Sequence, residues 1–293
     1  MSSEGAPLVV CVVVNWNGWR DTVACVESVA AQDYPSLQIL VVDNGSTDDS
    51  VQQIQAAFPQ IELLHAEQNR GFAAGSNVGI RCALKRGAAF VWLLNNDTTA
   101  PSDTLSRLMD AAEERVGMVG TVLRYMHDPT KIQAWGGGSV SRWSGFVRHF
   151  RAPERLNENS YLTFASVLLR REMLETAGLL DEGYFMYFED SDLSFRARGA
   201  GWQIAVAADT AVLHKEGGSA GSRKSTRVDR IVTASGLRFL KRYGRPGATA
   251  QVVFVLSRLG KRAVRGNLTG MGAVLRGVRD WRRGEPMAFR EEP

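Results

Sequence analysis

The sequence has few cysteines and no long apolar run. Its 293 residues include three cysteines, Cys11, Cys25 and Cys82, whose spacing matches no metal-binding pattern. An odd number of cysteines, with no secretory leader, predicts a reduced chain in the cytoplasm rather than a disulfide scaffold. The longest apolar run near the start, LVVCVVV, has seven residues, whereas a membrane helix needs roughly 20. A transmembrane helix is therefore not expected.

Two common nucleotide-binding fingerprints are also missing. The turn in VVDNGSTDDS lacks the G-x-G-x-x-G pattern, and no G-x-x-x-x-G-K-[ST] motif occurs in the chain. These absences disfavour a dinucleotide-dependent dehydrogenase and a P-loop enzyme. The chain also lacks a nucleic-acid-binding motif and a basic sheet interleaved with aromatic residues, so nucleic acid is not an expected partner.

The positive charge is concentrated at one end of the chain. From Ala220 onward there are 17 Lys or Arg against 5 Asp or Glu, whereas the rest of the chain has 18 against 26. Apolar residues recur at three- or four-residue steps between Val252 and Val278, with a break at Gly266 and Asn267. This basic amphipathic pattern predicts helices that lie on an anionic membrane, pack on the rest of the chain, or join copies into a homo-oligomer.

Strand-like and helical segments alternate over the first 120 residues. This β-α-β-α order predicts an α/β fold with a mainly parallel sheet and helices on both faces. After Val119 the pattern changes to a Gly- and Trp-rich loop or hairpin, a strand, a short helix, and two strands that end at His214. In the first part, strands are expected in 7–18, 38–42, 61–67 and 89–97, and helices at about 19–32, 50–58, 75–87 and 101–114.

Polar residues follow the predicted parallel strands. They are Asn15, Asp43, Asn69, Asn96 and Asp97. Each one alone reads as a turn former or helix cap. Because ligands bind outside the carboxyl ends of strands in open parallel sheets, four strand ends with Asn or Asp predict one shared site.

A divalent cation is a candidate ligand of that site. Asp97 follows a buried strand, and a carboxylate there can bind Mg²⁺ or Mn²⁺ together with phosphate oxygens. His214 ends its own strand and is the candidate second ligand, although a single histidine is more often structural. One carboxylate is a poor metal site by itself, so the substrate would have to supply further ligands.

The segment FMYFEDSDLSFR, residues 185–196, places three carboxylates beside aromatic residues. Glu189, Asp190 and Asp192 lie at the start of a predicted helix, where negative charge is stabilising. Asp190 is therefore either a helix cap or an acid held in apolar surroundings for proton transfer. The residue pattern alone leaves both readings open.

Five ordered segments of the chain form a distinctive set. They are VVVNWNG (12–18), VVDNGSTDDS (41–50), NRGFAAGSNVGI (69–80), LLNNDT (93–98) and GLLDEGYFMYFEDSDLSFRARGAGW (178–202). Together they resemble the family 2 glycosyltransferases of the GT-A fold, over about residues 8–220. Within that family, the NWNG, NND and FED-x-DL forms are similar to the bacterial rhamnosyltransferase branch.

The resemblance assigns roles to the carboxylate segment. It implies an inverting enzyme in which Asp190 is the base that takes the proton of the acceptor hydroxyl. Glu189, Asp192 and Arg196 would support the acceptor or the start of the helix. Arg223 and Lys224 lie in the small-residue, basic segment after His214, which is predicted to be a mobile loop and would assist at the donor diphosphate.

The resemblance also implies a donor site and its metal. Asp43 matches the acid that contacts the nucleotide base, and Asn69 and Asn77 lie in a segment that lines the nucleotide. Asn96 and Asp97 match a ribose- and metal-binding pair that in many relatives is more acidic. The expected donor-binding set is Asn15, Asp43, Asn69, Asn77, Asn96 and Asp97, with Asp97 and His214 holding Mg²⁺ or Mn²⁺.

Together these features predict a GT-A catalytic domain over 1–220, with a nucleotide-binding half (1–120) and an acceptor half (121–220). Residues 221–293 would form a mobile loop and a basic helical tail on the inner face of the plasma membrane. The expected reaction moves L-rhamnose from dTDP-rhamnose to a glycan or a polyprenyl-diphosphate-linked glycan of the cell envelope. The alternatives are a UDP-hexose-dependent enzyme of the same family and an inactive subunit that binds nucleotide sugars.

Overall fold

The first part of the chain forms four parallel strands that alternate with helices, as predicted. In the computed structural model, which describes residues 5–215 and 226–284, the first strand is buried along nearly its whole length. Burial on both faces is typical of parallel strands covered by helices. The elements are β1 (Val9–Asn15), α1 (Trp19–Ala30), β2 (Leu37–Asp43), α2 (Ser50–Ala57), β3 (Glu62–His65), α3 (Phe72–Lys85), β4 (Phe90–Asn95), β5 (Thr98–Thr99) and α4 (Thr104–Asp110).

The second part adds strands to the same sheet and forms a smaller sheet beside it. The small sheet is antiparallel and has the order β10-β8-β9. The elements are β6 (Val116–Tyr125), β7 (Asp128–Trp135), β8 (Gly137–Val140), β9 (Val147–His149), β10 (Ser160–Leu162), β11 (Ser166–Arg170), α5 (Arg171–Ala177), α6 (Glu189–Gly199) and β12 (Gln203–His214).

The central sheet has the order β3-β2-β1-β4-β11-β6-β12-β5, with β7 paired to β6. Strands β3, β2, β1 and β4 are mutually parallel, and β11 joins β4 in the antiparallel direction. Asn15 at the end of β1 pairs with Asp43 at the end of β2. The parallel register therefore brings the polar strand ends to one edge, which is what the sequence pattern predicts.

The sides of β1 face two different cores. Val10 and Val12 pack in a cluster with α3, whereas Val9, Cys11 and Val13 pack in a cluster with α1. This alternation follows from the two-residue period of a strand. It explains why the run of β1 is apolar without interruption.

One expectation for the second part is wrong. Residues 203–214 form one long strand, β12, instead of two. Its pairing with β6 continues across a register shift between Ala207 and Ala211. A bulge accommodates the extra residues and bends the strand without ending it. As a result His214 stays in the central sheet.

Residues 216–225 lie outside the described residues, and the predicted diphosphate contacts Arg223 and Lys224 fall in this segment. Three helices follow it. They pack against the segment that leads into α6: Leu237 and Phe239 share a hydrophobic cluster with Tyr184 and Phe188. The helices are α7 (Thr226–Tyr243), α8 (Gly247–Ala263) and α9 (Leu268–Arg283). The division of the chain at residue 220 stays a prediction. No helix within the described ranges has the length and apolar character that crossing a bilayer requires.

Asp192 joins the tail to α6. Its carboxylate is fully buried and accepts from Arg196 Nε at 2.7 Å, from Arg242 Nη1 at 3.2 Å and from the Tyr243 hydroxyl at 2.9 Å. Arg196 lies on the same helix, α6, whereas Arg242 and Tyr243 lie on α7. A buried charge with three donors therefore ties α7 to α6.

Removing this carboxylate should destabilise the protein strongly. Asp192→Ala leaves the Arg196 guanidinium without its buried partner, and such a loss costs about 3–5 kcal/mol. Glu175→Ala is a suitable control because its ion pair with Arg171 is exposed and is worth about 0–1 kcal/mol. Urea unfolding of both variants measures the difference. Equal losses in the two variants would contradict the structural role of Asp192.

Candidate active site

A cavity of about 980 Å³ opens at the carboxyl ends of the central strands. This volume is at the upper end of the roughly 300–1,000 Å³ of ligand pockets. The cavity lies at the edge where open α/β sheets bind ligands. Its polar and charged lining includes Asn44, Asn69, Asn95, Asn96, Asp97, Gln133, His149, Arg151, Glu189, Asp190, His214, Arg258, Lys261, Arg262 and Arg265.

One part of the lining brings Asp97 and His214 together, as predicted. Asp97 precedes β5, and the pairing of Thr98 with His214 places the end of β12 beside it. Asp97 Oδ1 lies 3.2 Å from His214 Nε2. On the other side of the ring, His214 Nδ1 lies 2.7 Å from Oε1 of Gln133. Since an amide oxygen only accepts, Nδ1 carries a hydrogen and Nε2 faces the carboxylate.

The Asp97–His214 pair fits part of a divalent-cation site. Two ligands in adjacent octahedral positions, each about 2.1 Å from the metal, lie about 3 Å apart, which is close to the 3.2 Å observed. A carboxylate oxygen binds Mg²⁺ and Mn²⁺, and imidazole binds transition metals. Within residues 5–215 and 226–284 no group of three or more His, Cys, Asp or Glu side chains could hold a metal. Further ligands would have to come from a bound phosphate or water.

The carboxylates of α6 enter the cavity from a strained turn. Tyr187 and Phe188, directly before the helix, both have φ of 69°, in the left-handed region. That region is uncommon for bulky residues, and such strain persists only where the surrounding structure enforces it. Phe188 is held by the rings of Phe239 on α7, at 5.4 Å between centroids, and Phe254 on α8, at 6.4 Å. The tail helices therefore fix the turn that places Glu189 and Asp190 in the cavity.

Burial raises the pKa of both carboxyl groups. The pKa of Asp190 rises to about 6 because burial disfavours its charged form, against the stabilising hydrogen bonds from Ser191. Ser191 donates from its backbone N–H at 2.6 Å and from its hydroxyl at 3.1 Å. The pKa of Glu189 rises well above its usual value through burial and the neighbouring Asp190 charge. Glu189 Oε2 has no hydrogen-bond partner within the described residues. At neutral pH this leaves an ionised Asp190 with enough basicity to accept a proton.

Asn15 and Asp43 lie behind the cavity and do not line it. Asp43 Oδ1 accepts from Asn15 Nδ2 at 2.9 Å and from the Ser46 hydroxyl at 2.5 Å, and Oδ2 accepts from the Ser46 N–H at 3.0 Å. Both residues are buried. They hold the turn after β2, and the cavity side is occupied by their neighbours Trp16 and Asn44.

Asn69 and Asn96, two of the residues predicted to bind the donor, line the cavity. Asn69 Oδ1 accepts from Asn44 Nδ2 at 3.2 Å. Asn77 does not line it: Nδ2 donates to the Leu180 carbonyl at 2.9 Å and Oδ1 accepts from the Leu180 N–H at 3.1 Å. Asn77 thereby anchors the segment before the carboxylates to α3.

Asp192 and Arg196 also lie outside the cavity lining. Arg196 donates to the carbonyls of Ala177, Gly178 and Leu179 as well as to Asp192. Both side chains therefore hold α6 in place from outside the cavity.

Four basic residues of the tail line the cavity, and the sequence reasoning did not place them there. They follow one face of α8 and the turn after it, and are Arg258, Lys261, Arg262 and Arg265. Their three- and four-residue steps indicate a shared helix face. The sequence does not say which surface that face meets. Gln133, beside His214, was missed because a lone glutamine on a strand has no distinctive pattern.

The chain belongs to glycosyl transferase family 2, whose family model matches residues 10–178. The structure resembles that of the mannosyltransferase PcManGT from Pyrobaculum calidifontis in complex with GDP-Man and Mn²⁺. The TM-score is 0.61 at 16% identity, covering 98% of this chain and 78% of that one. This likeness confirms the predicted GT-A fold.

Two curated relatives are similar to this chain over more than half of its length. The N-acetylglucosaminyl-diphospho-decaprenol L-rhamnosyltransferase of Mycobacterium tuberculosis is 28% identical over 210 residues, covering 63% of this chain and 68% of the relative. The succinoglycan biosynthesis protein ExoU of Rhizobium meliloti is 26% identical over 254 residues, covering 79% and 70%. Family and fold together support a transferase that acts on sugars.

Proposed function

We propose that the protein is an inverting glycosyltransferase that moves L-rhamnose from dTDP-rhamnose to a polyprenyl-diphosphate-linked glycan. The observation that carries the proposal is one cavity that holds both Asp190, with a pKa raised to about 6, and the Asp97–His214 pair. These groups supply a base for the acceptor and an anchor for the donor. Rhamnose and the lipid-linked acceptor are supported by the name of the Mycobacterium tuberculosis relative.

In the proposed reaction, the Asp190 carboxylate takes the proton of the acceptor hydroxyl. The hydroxyl oxygen forms a bond to the anomeric carbon from the face opposite the nucleotide. The bond from that carbon to the diphosphate oxygen breaks, and its electron pair leaves with the diphosphate. The single displacement inverts the anomeric carbon.

Asp97 and His214 would hold a Mg²⁺ or Mn²⁺ ion against the donor diphosphate. When bound, the cation supplies positive charge that offsets the charge developing on the leaving group. Asn69 and Asn96 would contact the donor from the cavity wall. Asn15, Asp43 and Asn77 would act through the turns they hold, and Glu189 would face the acceptor.

A donor screen tests the proposal. Release of nucleotide diphosphate is measured with dTDP-rhamnose and with UDP-hexoses, in the presence of a short lipid-linked acceptor. We expect release with dTDP-rhamnose. Release with a UDP-hexose alone would assign the alternative donor, and no release with any of them would favour an inactive subunit that binds nucleotide sugars.

Asp190→Asn should lower turnover by about 10²–10⁴-fold, the usual contribution of a general base. Donor affinity should change little, because the lost interaction belongs to the transition state. In the wild type, turnover should rise with pH up to about 6 and then level off, since only ionised Asp190 accepts a proton. Steady-state kinetics across pH measure both effects. If Glu189→Gln abolishes turnover while Asp190→Asn does not, the base is Glu189.

A chelator should abolish transfer, and Mn²⁺ or Mg²⁺ should restore it. Titration calorimetry gives an independent readout: nucleotide diphosphate should bind the wild type more tightly with Mn²⁺ than without. Asp97→Ala should lose this gain while keeping the metal-free affinity. Full activity in chelator, or an unchanged metal gain in Asp97→Ala, would overturn the metal assignment.

The proposed location is the inner face of the plasma membrane. Within the described residues, all large hydrophobic side chains that are exposed fall in residues 143–147 or 252–275. The two groups are neighbours, because Gly145 packs against the Phe254 ring of α8 so closely that an added Cβ would lie 2.7 Å from it. Val252 and Leu256, 55% and 61% exposed, lie on the face of α8 opposite its basic residues. An exposed apolar surface on a tail with 17 Lys or Arg against 5 Asp or Glu suits an anionic bilayer.

The protein should therefore co-sediment with vesicles of equal parts phosphatidylglycerol and phosphatidylcholine at low salt. Binding should weaken as salt rises, because screening acts over about 10 Å at 0.1 M ionic strength. Val252→Ser/Leu256→Ser should bind less at every salt concentration, and vesicles of phosphatidylcholine alone are the control for charge. A full-length protein that stays in the supernatant at low salt and elutes as a dimer would assign this surface to a second copy.

A further inference from the structure

Helix α8 faces the cavity with positive charge. Arg258, Lys261 and Arg262, and Arg265 in the turn that follows, all line the cavity. The helix Gly247–Ala263 contains no Asp or Glu. A wall of the active-site cavity is therefore built from cations that belong to the tail.

Two of these cations are tied to a buried acid and two are not. Asp229 on α7 accepts from Arg258 Nη2 at 3.0 Å and from Arg262 Nε at 2.9 Å. One carboxylate thus faces two guanidinium groups, which leaves an excess of positive charge. Lys261 and Arg265 are exposed and, over residues 5–215 and 226–284, form no ion pair. They are the two cations available to a ligand.

The basic wall does not serve to neutralise the carboxylates of α6. In the part of the chain that the structure describes, neither Glu189 nor Asp190 forms an ion pair with any residue of α8. The wall does adjoin them, because Phe254 of α8 contacts Phe188, the residue before Glu189. Lys261 lies about two helical turns, or about 11 Å, further along α8. A bound molecule can therefore place one end at Asp190 and an anionic group at Lys261.

We propose that Lys261 and Arg265 bind the diphosphate of a lipid-linked acceptor, an inference that rests on the proposed function. The acceptor must bring a sugar hydroxyl to Asp190 while its lipid leaves the cavity. Its diphosphate lies between the two, and Lys and Arg are suited to phosphate oxygens. Exposed Trp143 and Phe146, 69% and 62% exposed, lie on the hairpin against α8, where they offer apolar contact to the first isoprene units. Specificity for a diphosphate-linked acceptor would thus reside in the tail.

Binding of farnesyl diphosphate tests this assignment without requiring the correct sugar. Calorimetry is carried out on the full chain with Mn²⁺ and either dTDP or UDP present, so that the donor diphosphate site is filled. We expect Lys261→Gln/Arg265→Gln to weaken farnesyl diphosphate binding about tenfold or more, since it removes two charge-assisted contacts. Farnesol, which has no phosphate, should bind both proteins alike.

Arg279→Gln/Arg282→Gln is the matched control, because it removes two charges from α9, outside the cavity lining. It should bind farnesyl diphosphate as the wild type does. Equal weakening in both double variants would indicate general electrostatic attraction by the tail and would contradict a specific diphosphate subsite. Unchanged binding in Lys261→Gln/Arg265→Gln, or no binding to the wild type, would also overturn the proposal. Because dTDP and UDP are first titrated into each protein with Mn²⁺, before farnesyl diphosphate is added, failure of the donor site is recognised separately.

Discussion

Two adjacent carboxyl groups, Glu189 and Asp190, share one largely desolvated corner of the cavity, and much of the surrounding structure holds them there. Burial disfavours their charged forms, so the pKa of Asp190 rises to about 6 and that of Glu189 rises well above its usual value. The chain reaches this corner through two residues in the left-handed region. Neither the burial nor the strain is favourable by itself, and both depend on packing from elsewhere in the molecule.

Much of that packing comes from the tail. The rings of Phe239 and Phe254 hold Phe188, and Arg242 and Tyr243 bind Asp192 one turn into α6. Helices α7 and α8 therefore support the candidate active site and are also candidates for a membrane contact. The same helix, α8, has apolar side chains on its outer face and cations toward the cavity. Such a helix couples the proposed location of the enzyme to its choice of acceptor.

The side of the cavity at the ends of the parallel strands is built differently. There, most of the polar residues at the strand ends bond to one another, and only some of them face the cavity. Asp43 and Asn15 are engaged with Ser46 and Thr22, whereas Asn69 and Asn96 reach the lining. The Asp97–His214 pair provides two metal ligands, which are too few for a metal site by themselves. This arrangement fits a cation that binds together with the nucleotide.

The sequence by itself determined the parallel half of the fold, because an unbroken apolar strand such as β1 can be stable only between two layers of helices. The strand ends and the resemblance to the glycosyltransferase family also predicted one site for Asp97, His214 and Asp190, and the structure places all three around one cavity. Tertiary structure decided the rest. The face of a helix that meets the cavity depends on how the helix docks, so Lys261 and Arg265 could not be assigned from their spacing. In the same way, whether Asn77 or Asp43 faces a ligand or a neighbouring loop depends on contacts between residues that are distant in the chain.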